Sequence, residues 1–276
     1  MNPGGKHTPE ELRALALEIR RDVIRSLAAA GSGHTGGSLG LADVISVLLF
    51  QVMRHRPAEP LWEERDRLVL SIGHVAPVLY AGLARAGYFP KEELLTLRKF
   101  GSRLQGHPGR DHGLPGLELS AGSLGQGLSV AVGMALADRL DGKDRRVFVI
   151  MGDGELQEGS VWEAAMSASH HRLDKLIAIV DRNGLQIDGK TSEVMDLEPL
   201  PARWSSFGWN VIECDGNNIA DLDHAFVKAG QCANAPTVII ARTLMGKGVP
   251  PIENDHRWHG RAPSAAEAEE FLRLLR

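Results

Sequence analysis

The sequence predicts an α/β fold: three layers, with a mostly parallel sheet and helices on both faces. Three observations carry that expectation. Short runs such as Val147-Phe-Val-Ile150 and Ile177-Ala-Ile-Val180 are apolar at every position, as strands covered on two sides must be. Helical stretches alternate with these runs, the arrangement that builds a covered parallel sheet. Glycines gather just beyond the carboxyl ends of the strands, where open parallel sheets bind ligands. The chain has 276 residues with no linker, internal repeat or low-complexity tract, so residues 1–276 read as a single domain.

Taken in order, Thr8-Pro9-Glu10-Glu11 opens a helix. Thr8 and Glu11 form a capping box, Pro9 suits the first turn, and Gly31 ends the run. A second helix, about Leu41 to Met53, is apolar almost all round and is expected to be buried. Arg67–Ser71 is a short strand ending at Gly73-His74. Helices are expected at Ala76–Ala86 and Lys91–Phe100, followed by a Gly- and Pro-rich loop from Gly101 to Gly122. A helix of small residues covers Gly125–Leu140, where Ala131, Gly133 and Ala135 predict close packing against another backbone. Strands at Arg146–Met151 and Lys175–Asp181 flank a helix at Ser160–His171. Val211–Glu213, a helix at Ile219–Cys232 and a strand at Thr237–Ala241 continue the alternation. Ser264 and Glu267 cap a final helix.

Composition removes several function classes. Lys and Arg number 31 against 35 Asp and Glu, a net charge of −4 that is no footprint for nucleic acid. Cys214 and Cys232 are too few for a disulfide framework or a cysteine zinc site, and fit free thiols in a reducing compartment. No apolar run approaches the ~18 residues of a membrane span, and Met1–His7 lacks a signal-peptide core. A cytoplasmic protein without membrane contact is expected.

The chemistry concentrates in loops. Gly152-Asp153-Gly154-Glu155 follows one strand and Arg182-Asn183-Gly184-Leu185 the next. In a right-handed βαβ unit both loops face one crevice. Carboxylate, side-chain amide and backbone carbonyl are hard oxygen ligands, suited to Mg²⁺ or Ca²⁺ shared with a diphosphate. The flanking glycines allow close approach of the backbone. His34, His74 and His107 each follow a glycine, and His256-Arg-Trp-His259-Gly260 forms a late histidine loop. Such histidines suit anion binding and acid–base work. A zinc site is the alternative, although no His or Cys spacing supports it. His7, His55, His112, His170, His171 and His224 are given no role. A dinucleotide-binding protein is disfavoured because no Gly-x-Gly-x-x-Gly follows the first strand.

Several segments together carry a resemblance. They are Gly152-Asp-Gly-Glu-Leu-Gln-Glu-Gly159, Trp162-Glu-Ala-Ala165 and Leu176-Ile-Ala-Ile-Val-Asp-Arg-Asn-Gly-Leu-Gln-Ile-Asp-Gly189. With them go Ser32-Gly-His-Thr-Gly-Gly-Ser-Leu39, Gly73-His-Val-Ala-Pro-Val-Leu-Tyr80, Arg103-Leu-Gln-Gly-His-Pro108 and Gly122-Ser-Leu-Gly-Gln-Gly127. The set resembles the transketolases, most closely the N-terminal subunit of split transketolases, over roughly Leu12 to Pro263. The departures are Thr35 where the family often has Pro, Ile72 where a polar residue is frequent, and Ala121 where Thr is usual.

The resemblance implies a thiamin-diphosphate-binding fold and transfer of a two-carbon ketol unit from a ketose phosphate to an aldose phosphate, as in the pentose phosphate pathway. It places Asp153, Asn183 and the carbonyl of Leu185 on the metal (Mg²⁺, or Ca²⁺ or Mn²⁺), and Gly154, His74 and His256 on the diphosphate. Gly122 and Leu124 would contact the aminopyrimidine. His34 and His107 would hold the donor ketose, with His256 near the substrate channel; His259 is the alternative to His256. Glu158 would join a network between two active sites of a dimer. The pyrimidine-binding and C-terminal domains are expected on a separate partner chain, in a heterotetramer within which this chain pairs with its own copy. The exposed face that such pairing covers is expected along Gly125–Leu140 and around Trp162. Two alternatives are a ketol transferase specialised for a modified sugar phosphate and a non-catalytic cofactor-binding subunit.

Overall fold

A computed structural model describes residues 7–275. The stretch Met1–Lys6, part of the segment read above as lacking a signal-peptide core, lies outside the described residues. Helix α1 (Pro9–Ala30) starts with the predicted capping box: Thr8 Oγ1 accepts the Glu11 N–H at 3.2 Å and Glu11 accepts the Thr8 N–H at 2.8 Å. It stops at Gly31, whose φ of +67° is left-handed.

The next helical region differs from expectation. Helix begins at Thr35 rather than Leu41, running as α2 (Thr35–Gly40) and α3 (Ala42–Val47) and ending in a π-helical turn at Leu48–Val52. Strand β1 (Arg67–Leu70) and α4 (Ala76–Ala86) follow as expected. The helix expected at Lys91–Phe100 is only a 3₁₀ segment, Lys91–Thr96. Then come α5 (Gly127–Leu140), β2 (Val147–Gly152), α6 (Gly159–His170) and β3 (Leu176–Asp181). The sequence did not reveal the small hairpin β4 (Leu185–Gln186) and β5 (Gly189–Lys190), nor α7 (Thr191–Val194) and α8 (Leu200–Ser206). Strand β6 (Asn210–Asp215), α9 (Ile219–Gln231), β7 (Thr237–Arg242) and α10 (Ala265–Leu274) complete the order.

The main sheet is wholly parallel, in the order β1-β2-β3-β7-β6. Strand alternation divides its side chains between two cores. Leu68, Phe148, Ile150, Ile177 and Ile179 join α1, α3, α4, α9 and α10 on one face. Val69, Val149, Met151, Ala178 and Val180 join α5, α6 and Trp204 on the other. This is the predicted three-layer arrangement. In α5, Ala131 and Ala135 pack inward, but Gly133 faces open space rather than a backbone of this chain. Trp162 itself is half-buried, while Met166, one turn on, is exposed. The Trp162 indole N–H donates to the Leu156 carbonyl at 2.8 Å and its ring lies 5.1 Å from Trp204 and 5.2 Å from Phe207. Among the described residues no helix is long and apolar enough to cross a membrane.

Register sets the site. Gly152 pairs with Asp181, and Asp181 with Ala241, so three strand ends finish level. The Asp153 N–H donates to the Asp181 carbonyl at 3.2 Å, which holds the two loops side by side.

Candidate active site

A cleft of about 370 Å³ opens at these strand ends. One wall is the turn Gly152–Glu155 with the loop Asn183–Asp188. The opposite wall is Gly122 and Leu124, and the floor carries His34, His74, His107 and His259. Asp153, Gly154, Glu158, Asn183 and Leu185 all line it. Every residue proposed from the sequence is therefore gathered here except His256.

The late loop resolves its own ambiguity. His256 does not line the cleft; its Nδ1 sits 3.1 Å from the Ile187 carbonyl. The ring of His259 lies 4.8 Å from His74 and 5.8 Å from His34. Of the two late-loop histidines, His259 is the one that lines the cleft. Thr35 fixes that placement, because its hydroxyl donates to the Arg261 carbonyl at 2.6 Å.

His34 stands at the centre of the cluster, 5.0 Å from His74 and 6.2 Å from His107. Burial first, then the neighbouring His259, Arg98 and His107, lower its pKa to about 4. Burial and the same ring cluster lower His74 to about 3. Burial also lowers His259, and burial with the Arg98 guanidinium lowers His107. All four rings are thus held neutral, each able to offer one donor and one acceptor. Nδ1 of His34 is buried with no hydrogen-bond partner among the described residues. No three His, Cys, Asp or Glu side chains among the described residues converge as a metal centre, so the zinc alternative finds no support.

The oxygen ligands are pre-oriented. Asp153 is 3% exposed, and its Oδ2 accepts the Gly184 N–H at 2.6 Å and Arg182 Nη1 at 2.9 Å. Its Oδ1 accepts the Gly154 N–H at 2.8 Å. Burial pushes its carboxyl upward against these bonds. Asn183 donates from Nδ2 to Asp181 at 3.0 Å, which fixes its amide, and accepts the Leu185 N–H at 2.9 Å. Asp181, fully buried and bonded by Thr243, is pushed up to about 7 by that burial. Sequence reading missed Asp181, Arg182 and Thr243 as the frame of this loop; only the position of Asp181 at a strand end pointed to it. The set suits a hard divalent cation bridging to a diphosphate. Gly154 faces the cleft with no Cβ, and the unpartnered His34 nitrogen awaits a polar group. Residues and cofactor fit.

Opposite, Gly125 turns with φ +79°, and a Cβ there would lie 2.7 Å from Glu158 Cβ, so only glycine fits that approach. Glu158 stands at the start of α6, exposed at the rim.

Residues 11–274 match the family described as "Transketolase, thiamine diphosphate binding domain". The chain is 42% identical over 264 residues to an apulose-4-phosphate transketolase subunit of Phocaeicola vulgatus, covering 96% of this chain and 93% of that protein. It is 45% identical over 238 residues to a 6-deoxy-6-sulfo-D-fructose transketolase subunit of Clostridium sp. (strain MSTE9), covering 86% of each. Among solved structures, the transketolase of Leishmania mexicana superimposes with a TM-score of 0.90 at 33% identity. That match covers 96% of this chain but only 41% of the solved one, so the chain spans about two fifths of that enzyme.

Proposed function

Because the chain belongs to the transketolase family through its thiamine diphosphate-binding domain, we propose that it is the diphosphate-binding subunit of a two-chain ketol transferase. The carrying observation is the convergence of Asp153, Asn183 and Leu185 with four neutral histidines on one cleft. Thiamin diphosphate, when bound, supplies the carbon centre that carries the two-carbon unit. Asp153, Asn183 and the Leu185 carbonyl would hold Mg²⁺, and His74 and His259 the diphosphate oxygens. Gly122 and Leu124 would face the aminopyrimidine. His34 and His107 both line the cleft; as neutral imidazoles they could accept a hydroxyl proton from a ketose and return it.

The substrate in this reading is a ketose phosphate and the acceptor an aldose phosphate. A narrower reading, a donor that is a modified sugar carrying a terminal anion, is supported by the names of the two subunit-length relatives. The subunit designation of those relatives likewise supports a companion chain carrying the pyrimidine-binding domain, in a heterotetramer. We place the enzyme in the cytoplasm, where the free thiols of Cys214 and Cys232 remain reduced.

The test is Asp153→Ala in the assembled enzyme. Mg²⁺-dependent thiamin diphosphate affinity should fall by about 100-fold or more, the scale on which lost ligands and their supports act, while the far-ultraviolet dichroism is unchanged. Wild-type affinity in this variant would show that the metal lies elsewhere.

A further inference from the structure

Glu155 is 2% exposed and Ser71 1%, and neither lies among the groups assigned above to cofactor or substrate. Their partners are specific. Glu155 Oε1 accepts the Gly125 N–H at 2.8 Å and the Ser71 hydroxyl; Oε2 accepts the Gly152 N–H at 3.2 Å. Ser71 Oγ in turn accepts the Gly127 N–H at 3.1 Å. The approach is close: a Cβ at Gly127 would lie 2.4 Å from the Ser71 Cβ. Every bond to the carboxylate comes from a donor, so both of its oxygens serve as acceptors. The donors belong to the two facing walls of the cleft. Gly125 and Gly127 close the loop that presents Gly122 and Leu124; Gly152 opens the turn that presents Asp153 and Gly154.

We propose that Glu155, acting with Ser71, is a positioning residue that fixes the distance between the aminopyrimidine wall and the diphosphate wall. It ties together the two backbones that would hold the two ends of the cofactor, and no other side chain among the described residues bonds both. The inference rests on the reading above of what fills the cleft.

The substitution Glu155→Gln keeps the size but turns one acceptor into a donor, leaving an N–H of one wall without its acceptor. Ser71→Ala, a milder change, frees the Gly127 N–H. Two measurements are made: thiamin diphosphate affinity of the assembled enzyme in Mg²⁺ by calorimetry, and amide exchange of Gly125 and Gly127 in the ligand-free protein. Both variants should bind the cofactor about 10-fold more weakly, as loss of groups that orient a ligand's direct contacts does, and should exchange those amides faster. Trp204→Phe, remote from the cleft, should alter melting temperature without altering affinity. Wild-type affinity and exchange in both variants would overturn the proposal. If the wild-type enzyme itself binds no thiamin diphosphate, the cofactor reading fails, and the exchange result alone still decides whether Glu155 joins the walls.

Discussion

Two residues separate the late-loop histidines, and their rings face different surroundings. His259 faces His34 and His74, whereas His256 is turned to the Ile187 carbonyl. His259→Ala should lower turnover by about 100-fold, within the range for a lost acid–base or anion-holding group; His256→Ala should stay within a few-fold of wild type. Steady-state kinetics of both variants checks this, and equal losses would contradict the assignment. The histidine cluster also sets a pH dependence. Unfolded imidazoles titrate at about 6.5, but burial holds His34 at about 4 and His74 at about 3 in the fold. The unfolded chain therefore binds more protons once pH drops below about 6.5, and stability is lost as pH falls toward those lower values. Melting temperature should decline from pH 7 to pH 5, and less steeply in His74→Gln. Parallel declines would mean His74 does not titrate in this way. At this scale Asp153, Asn183, Leu185 and His74 were legible in sequence because each follows a strand, and His34 and His107 because each follows a glycine in a loop. The choice between His256 and His259 was not, since a loop has no periodicity to say which side chain turns inward. Nor was the Glu155–Ser71 pair, whose partners are brought together only by the sheet.

Among elements, the strands and capped helices were legible because both-face apolar runs and capping boxes are local signals. The start of α2 was not. Gly36, Gly37 and Gly40 lower helix propensity, and the helix forms there because tertiary packing demands it: a Cβ on Gly36 would lie 2.5 Å from Met245. The prolines around Leu200 hid α8, though Pro201 in its first turn is a favourable start. One buried charge braces the start of the β1–β2 ladder. Asp66, fully buried, accepts the N–H groups of Arg54 and Arg146 at 2.8 and 2.9 Å and pairs with the Arg146 guanidinium at 2.6 Å. Asp66→Ala leaves two arginines short of their acceptor and should cost about 3–5 kcal/mol. Urea denaturation measures it, and a loss below about 1 kcal/mol, the scale of an exposed pair, would show the contact to be unimportant.

For the molecule as a whole, the layered architecture places the cleft at the carboxyl ends of the parallel strands. The outward side of α5 and α6 exposes Gly133, Leu140 and Met166, with Leu140 at 86%. Exposed apolar surface of this kind is commonly covered by association. Among the described residues, no carboxylate lines the Gly122–Leu124 wall of the cleft; Asp153, Glu155, Glu158, Asp181 and Asp188 belong to the other segments that line it. Activity should therefore require a companion chain. The most direct test is ketol transfer from a ketose phosphate to an aldose phosphate, with thiamin diphosphate and Mg²⁺ in excess. It is measured for the purified chain and for the chain mixed with a pyrimidine-binding transketolase subunit. No turnover from the chain alone and turnover on mixing is the predicted result; robust turnover by this chain, in a preparation shown by mass spectrometry to hold no partner, would contradict it.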